Sequence, residues 1–308
     1  MQRNSAVRYL AAMACVGSLA PAYVMAQGAE EFEGVDPANP VTGTRVSVGF
    51  GYRGEADIDN SGDASFSETA FSVRGGPSFT LGENLRLNAF GSYRYSHYDW
   101  VGVGTDPFEN IHTFRLAPIF SYQLNEYTFY AGPGIAFSAE EGADWGKSFT
   151  GGGLAGVNYK YNDQLSFGGG LAIFSQLEDD PRLIPIITAN WAFADHWNLR
   201  VGFSEVAAQG GLGAEVTYDL NDQLQLGAGL QFQRKRFRID AGDGVAEDSS
   251  LPIYVKAGYK LTPTATIEGL IGFNAGGTLL VEDNNGQEVF EEDYDPSFVF
   301  GLRAVFSF

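Results

Sequence analysis

The sequence predicts an all-β fold: a transmembrane antiparallel up-and-down β-barrel of about 14 strands, with 12 as the alternative count. Three observations predict it. From Thr44 to the last residue, segments of roughly ten residues alternate apolar and polar side chains, the length of a tilted membrane-crossing strand. Short turns and longer acidic loops separate these segments in strict succession. Of 308 residues, 40 are glycine and 14% are aromatic, whereas only 19% are charged, a composition suited to many strands and turns.

The first element is an export signal. Arg3 and Arg8 precede an apolar run from about Tyr9 to Ala20, Pro21 breaks it, and Val24-Met25-Ala26 offers a cleavage site. Residues 1–26 therefore read as a signal peptide cut after Ala26. The apolar run is shorter than the roughly 20 residues a spanning helix needs. The only cysteine, Cys15, lies inside it, so no disulfide framework forms, and Ala12-Met13-Ala14 is a poor approach to a lipidation site. Residues 27–42 are acidic and contain Pro and Gly, and read as a periplasmic lead-in; the barrel occupies 43–308. No later segment has 18 consecutive apolar residues, which leaves a soluble exported β-protein or a barrel.

The short turns centre near 83, 126, 163, 195, 222 and 263, each with an aromatic residue followed by turn formers such as Asn and Asp. Longer loops lie near 57–65, 99–110, 139–147, 177–182, 206–211, 240–250 and 276–296. Six turns and seven loops give 14 strands with both termini on the short-turn side, the outer-membrane arrangement. The 206–211 connection and the strand from Trp197 are the least regular elements and keep 12 strands open. The 276–296 loop is the expected plug or lid.

Two apolar faces are explicit. In the last strand Phe298, Phe300, Leu302, Ala304, Phe306 and Phe308 oppose Val299, Gly301, Arg303, Val305 and Ser307. From Leu251 to Leu261, Leu251, Ile253, Val255, Ala257, Tyr259 and Leu261 oppose Tyr254, Lys256, Gly258 and Lys260. A soluble sandwich alternates too. Aromatics beside the short turns (Tyr122, Tyr127, Tyr159, Tyr161, Trp197, Tyr218 and Tyr259) favour a membrane girdle.

The final residues, Phe300-Gly-Leu-Arg-Ala-Val-Phe-Ser-Phe308, resemble the C-terminal targeting strand of bacterial outer-membrane, porin-like barrels. That resemblance implies location in the outer membrane of a Gram-negative cell and recognition by the barrel-assembly machinery through Phe300, Leu302, Phe306 and Phe308. Leu251-Pro-Ile-Tyr254 through Asp293-Tyr-Asp-Pro296 also resembles a family of predicted outer-membrane barrels of unknown function, which implies the fold and no activity.

No constellation points to an enzyme, a cofactor or a metal. The three histidines are His97, His112 and His196; only His97, near Ser96 and Asp99, merits consideration for catalysis, yet adjacent strand residues point to opposite faces. Gly151-Gly152-Gly153 and Gly168-Gly169-Gly170 precede no helix and are not phosphate loops. The net charge of -19 disfavours nucleic acid as a partner.

The informative asymmetry is electrostatic. Alternation places Arg45, Arg53, Arg74, Arg86, Arg94, Arg115, Lys160, Arg200, Lys256, Lys260 and Arg303 on the lumen side, against the inward acids Glu215, Asp219 and Glu268. Two readings follow: the basic wall attracts anions, or the cations pair inside the lumen, as Lys256, Glu268 and Arg303 on successive strands would. Small inward residues, many of them glycine, are expected to leave lumen volume. Arg234, Arg236 and Arg238 continue a lipid-facing parity and are expected to meet lipopolysaccharide phosphates, or to snorkel and pair with acidic loops. The acidic loops are solvated or hold divalent cations. The expected function is a passive porin-like channel for small hydrophilic solutes, in contact with outer-membrane lipid and lipopolysaccharide. The alternatives are a closed structural or surface-interaction barrel, or a transporter of hydrophobic substrates.

Overall fold

The computed structural model describes residues 43–206 and 209–308. The expected signal peptide and the lead-in over 27–42 lie outside the described residues. The strands are β1 (Thr44–Asp57), β2 (Ser65–Thr80), β3 (Leu85–Val101), β4 (Asn110–Leu124), β5 (Tyr127–Glu140), β6 (Phe149–Lys160), β7 (Leu165–Gln176), β8 (Asp179–Ala194), β9 (Trp197–Val206), β10 (Gln209–Asp219), β11 (Leu224–Arg238), β12 (Val245–Thr262), β13 (Ala265–Glu282), β14 (Glu288–Tyr294) and β15 (Ser297–Ser307).

Neighbours pair antiparallel, and β1 closes on β15 from Arg45↔Ser307 to Arg53↔Val299. The ring therefore has 14 strands; β14 ladders with the outer end of β13 and touches the end of β1 through a single bridge, Ile58↔Tyr294. At the closure, Thr44 N–H donates to the Phe308 carbonyl at 3.1 Å and Phe308 N–H to the Thr44 carbonyl at 2.8 Å. Two short turns share one device: Asn162 Oδ1 accepts from the N–H of Gln164 and Leu165, and Asn221 Oδ1 from Gln223 and Leu224, all at 2.8–2.9 Å.

The outer wall presents Phe50, Phe71, Leu116, Phe129, Leu171, Ile187, Val255 and Ile271, all exposed, as lipid requires. Beside the short turns the aromatics touch: Tyr127 and Tyr159 at 4.9 Å, Trp197 and Tyr218 at 4.8 Å between ring centroids. Phe298, Leu302, Phe306 and Phe308 lie on the outer face of β15, and Phe300 meets Phe50 edge-on.

Several inward glycines stand against neighbouring groups rather than empty space. A Cβ on Gly156 would stand 2.3 Å from the Tyr130 hydroxyl, and one on Gly170 would stand 2.4 Å from the Ala155 carbonyl and 3.0 Å from the same hydroxyl. The glycines are seats for neighbouring side chains. Tyr130 packs with Ile119, Leu154, Phe174, Ile184 and Ile186 into an apolar cluster on the inner wall of β4–β8.

At the long-loop end four strands fold inward together. The β10–β11 ladder stops at Leu212↔Phe232. The β12–β13 register shifts between Ser250 and Pro252. The β13–β15 ladder stops at Asn274↔Ser297, and β13 then pairs with β14 from Gly277↔Tyr294. Gly276 supplies the bend in β13 with φ 110°, a conformation costly for other residues. Pro252 and Pro296 remove donors near the same line. Beyond this hinge line Val245–Ser250 of β12 is buried throughout, and Arg238 of β11 bridges to Ala139 of β5 across the mouth. The outer ends of β11–β14 thus form a lid. Its packed core joins Phe237, Ile239, Ala246, Leu279 and Tyr294 to Phe66, Tyr98 and Phe108 of the opposite wall. The expected lid, 276–296, supplies β14 and Tyr294, but the β11–β12 hairpin crosses the opening.

Gly170→Val is expected to destabilise the refolded barrel by about 1–3 kcal/mol through overpacking, read from the urea unfolding midpoint. Gly82→Ala, where a Cβ meets nothing within 4 Å, serves as the neutral control.

Candidate functional site: the latched mouth and the lumen wall

A buried charge cluster fastens the lid. Arg53 of β1 grips Asp248 of β12 with both terminal nitrogens, Nη1 to Oδ1 at 3.1 Å and Nη2 to Oδ2 at 2.8 Å. Lys235 of β11 donates to Glu68 Oε2 of β2 at 2.5 Å and to Asp248 Oδ2 at 3.0 Å. The Tyr98 and Tyr294 hydroxyls each donate to Asp248 at 2.8 Å. Arg53 also stands 4.6 Å over the Phe66 ring. Asp248 is 0% and Glu68 1% exposed, so two cations and two anions neutralise each other away from water. Such a cluster holds only when complete, because each charge left alone would face the desolvation penalty.

Glu68, Tyr98, Lys235, Asp248 and Tyr294 were not identified by the sequence reading. The parity that places Arg74 inward also places Glu68 inward, so that signal was present. Lys235 and Asp248 meet Glu68 and Arg53 only through the inward fold, which local alternation does not encode.

The same fold corrects the reading of Arg234, Arg236 and Arg238. They do not meet lipopolysaccharide phosphates, because their face of β11 turns toward the β7–β8 hairpin and is buried or half-buried. Arg234 pairs with Glu247 and donates to Gln176 Oε1 at 2.8 Å. Arg236 pairs with Glu282 and donates to the Leu177 carbonyl at 2.7 Å; Arg238 bonds Glu178 at 2.6 Å. The alternative of pairing with acidic groups is the observed one. At the lid tip, Lys147 bonds Asp243 at 2.6 Å, which holds the Asp243 carboxyl below its ordinary range and raises the Lys147 ammonium. Nearby, Asp240 N–H donates to Glu140 Oε2 at 2.8 Å.

Strand register places the remaining basic residues on the inner wall. Arg74, Arg94 and Arg115 are buried at mid-height on β2–β4. Arg303 pairs with Glu268 at 2.5 Å and Lys256 with Glu215 of β10 at 2.7 Å, while Lys256 also lies within electrostatic reach of Glu268, so the expected three-residue group extends to Glu215. Arg45, Arg86, Lys160, Arg200 and Lys260 lie toward the short-turn end. His97 meets Asn110 Oδ1 at 2.9 Å and Asp99 Oδ1 at 3.1 Å, while Ser96 is buried on the opposite face. Among the described residues no acidic or histidine cluster could hold a metal ion.

Two ladders in the wall end early. The β8–β9 ladder runs only from Ala194↔Trp197 to Ala189↔Val201, and β10–β11 stops at Leu212↔Phe232. The β9–β10 ladder continues outward to Val206↔Gln209 between these two gaps.

The family model described as Domain of unknown function (DUF6268) matches residues 126–307. The chain belongs to this family. Members of the DUF6268 family thus include a latched 14-stranded barrel. Two solved structures share the fold. The COG4313 outer membrane channel from Pseudomonas putida F1 aligns with TM-score 0.50 and 15% identity, covering 89% of this chain and 98% of that one. The P. putida toluene transporter TodX aligns with TM-score 0.51 and 10% identity, covering 87% and 91%. No curated protein matches the sequence.

Lys235→Met is expected to cost about 3–5 kcal/mol, because it leaves an uncompensated buried charge. Lys235→Met combined with Glu68→Leu is expected to cost much less than the single change, and urea unfolding of the two variants makes the comparison.

Proposed function

We propose that this DUF6268 barrel is an outer-membrane channel for small hydrophilic solutes, held shut by the β11–β14 lid. The supporting observation is the manner of closure. The stopper consists of the outer ends of wall strands, bent at one line and fastened by exchangeable charge pairs rather than by a permanent apolar core alone. Breaking the Arg53–Asp248 and Lys235–Glu68 contacts would loosen the lid without breaking the 14-strand ring below the hinge.

Planar-bilayer recording of the refolded protein tests this. The wild-type barrel is expected to be closed most of the time. Asp248→Asn removes one anion from the cluster and is expected to raise open probability by about tenfold or more, the equivalent of roughly 1.4 kcal/mol. Cysteines at Lys147 and Asp243, joined by a bis-maleimide, are expected to close the Asp248→Asn channel again. Silence from a verified folded Asp248→Asn barrel would sink the gated-channel reading.

A second reading rests on the early-ending ladders beside β9–β10. They adjoin Ile184 and Ile186 of the apolar inner cluster, which favours sideways passage of an apolar solute. A disulfide between Ile187→Cys and Phe203→Cys would continue the Ala189↔Val201 register. It would abolish such passage while leaving ion conductance intact.

A further inference from the structure

The inward cations divide by height. Arg53, Lys256 and Arg303 are committed to Asp248, Glu215 and Glu268. Toward the short-turn end stand Arg45 on β1, Arg86 on β3, Lys160 on β6, Arg200 on β9 and Lys260 on β12, spread around the whole circumference. Among the described residues, Arg45, Arg86, Arg200 and Lys260 take part in no ion pair, and Lys160 meets only Asp163, a turn carboxylate 95% exposed.

Register shows that they share the inner face. Arg45 has the parity of Arg53, Arg86 that of Arg94, and Lys260 that of Lys256; Arg200 stands opposite the buried Glu215. Three inward acids lie near this height: Glu215, opposite Arg200 and bonded to Lys256; Glu268, bonded to Arg303 and within electrostatic reach of Arg45; and Asp219, which accepts hydrogen bonds from Gln225 at 2.7 Å and Asn198 at 3.4 Å, so the described inward cations of this zone still outnumber the acids. Glu83, Glu126, Asp163, Asp195 and Asp222 occupy the turns themselves and are exposed to bulk solvent. There, screening acts over about 8 Å at physiological salt. Inside the vestibule, a low-dielectric wall concentrates the field of the ring instead.

We infer that the short-turn vestibule is a selectivity ring for small anions, formed by Arg45, Arg86, Arg200 and Lys260 with Lys160. The solutes admitted by this barrel then carry carboxylate, phosphate or similar negative groups; this step rests on the channel reading above. Rings of like charge select permeant ions without converging on one ligand. The opposite mouth carries the exposed carboxylates of Glu288, Glu291 and Asp293, so an anion that has passed the lid moves down the potential toward the ring.

The test measures the local potential directly and does not need an open lid. Ser307, in register with Arg45, is replaced by cysteine in the refolded mature barrel, which by the sequence reading lacks Cys15. Its rates with an anionic and a cationic methanethiosulfonate are compared at low ionic strength and normalised to a free thiol. The expected result is preference for the anionic reagent, falling about threefold or more when Arg86, Arg200 and Lys260 become glutamine while Arg45 remains. An unchanged ratio in that triple variant, or preference for the cationic reagent, overturns the ring. Heat-modifiable gel mobility verifies that each variant is folded. Failure here leaves bilayer conductance to judge the channel, and silence in the bilayer leaves the reactivity ratio readable.

Discussion

Burial of Asp248 is the constraint on which the rest of the mouth depends. A carboxylate with no exposure to water requires cations and hydroxyl donors at once, and these come from four other strands: Arg53, Lys235, Tyr98 and Tyr294. No two of those strands need approach for the ring to exist. They meet because the outer ends of β11–β14 bend inward. The latch therefore couples the lid to the far wall, and every residue in it is committed to one arrangement of the mouth.

The inside of the barrel follows a related rule. Wide barrels have room to fill, and this one fills it from the wall. Glycines on one strand accept the aromatic ring of the next, as Gly156 and Gly170 accept Tyr130. The interior is divided into an apolar sector on β4–β8 and a charged remainder.

Much of this was legible in the sequence. The six short turns, the strand parity and the closure of the first strand on the last follow from local alternation and turn chemistry, which act within a few residues. Of the lid, only the 276–296 arm was legible; the β11–β12 hairpin was not. Arg234, Arg236 and Arg238 carry lipid-facing parity, and only a bend at Phe232 and Pro252 takes them away from lipid. Lys256 illustrates the same limit at a finer scale. Both Glu215 and Glu268 lie within two strands of it; it bonds Glu215 and stands within electrostatic reach of Glu268, a division set by side-chain reach and not by register.

The junction of β1 with β15 has a kinetic consequence. Arg45 pairs with Ser307, so the contact that completes the ring joins residues more than 250 positions apart. Hairpins between consecutive strands can form as soon as both halves of each are present, whereas this contact must await the whole chain. Until then two strand edges stand open, and Arg53 on β1 cannot be placed against Asp248 on β12 through the closed wall. The seam that completes the ring is thus the contact of longest sequence separation in the wall, and the latch at the mouth ties together strands on both sides of it.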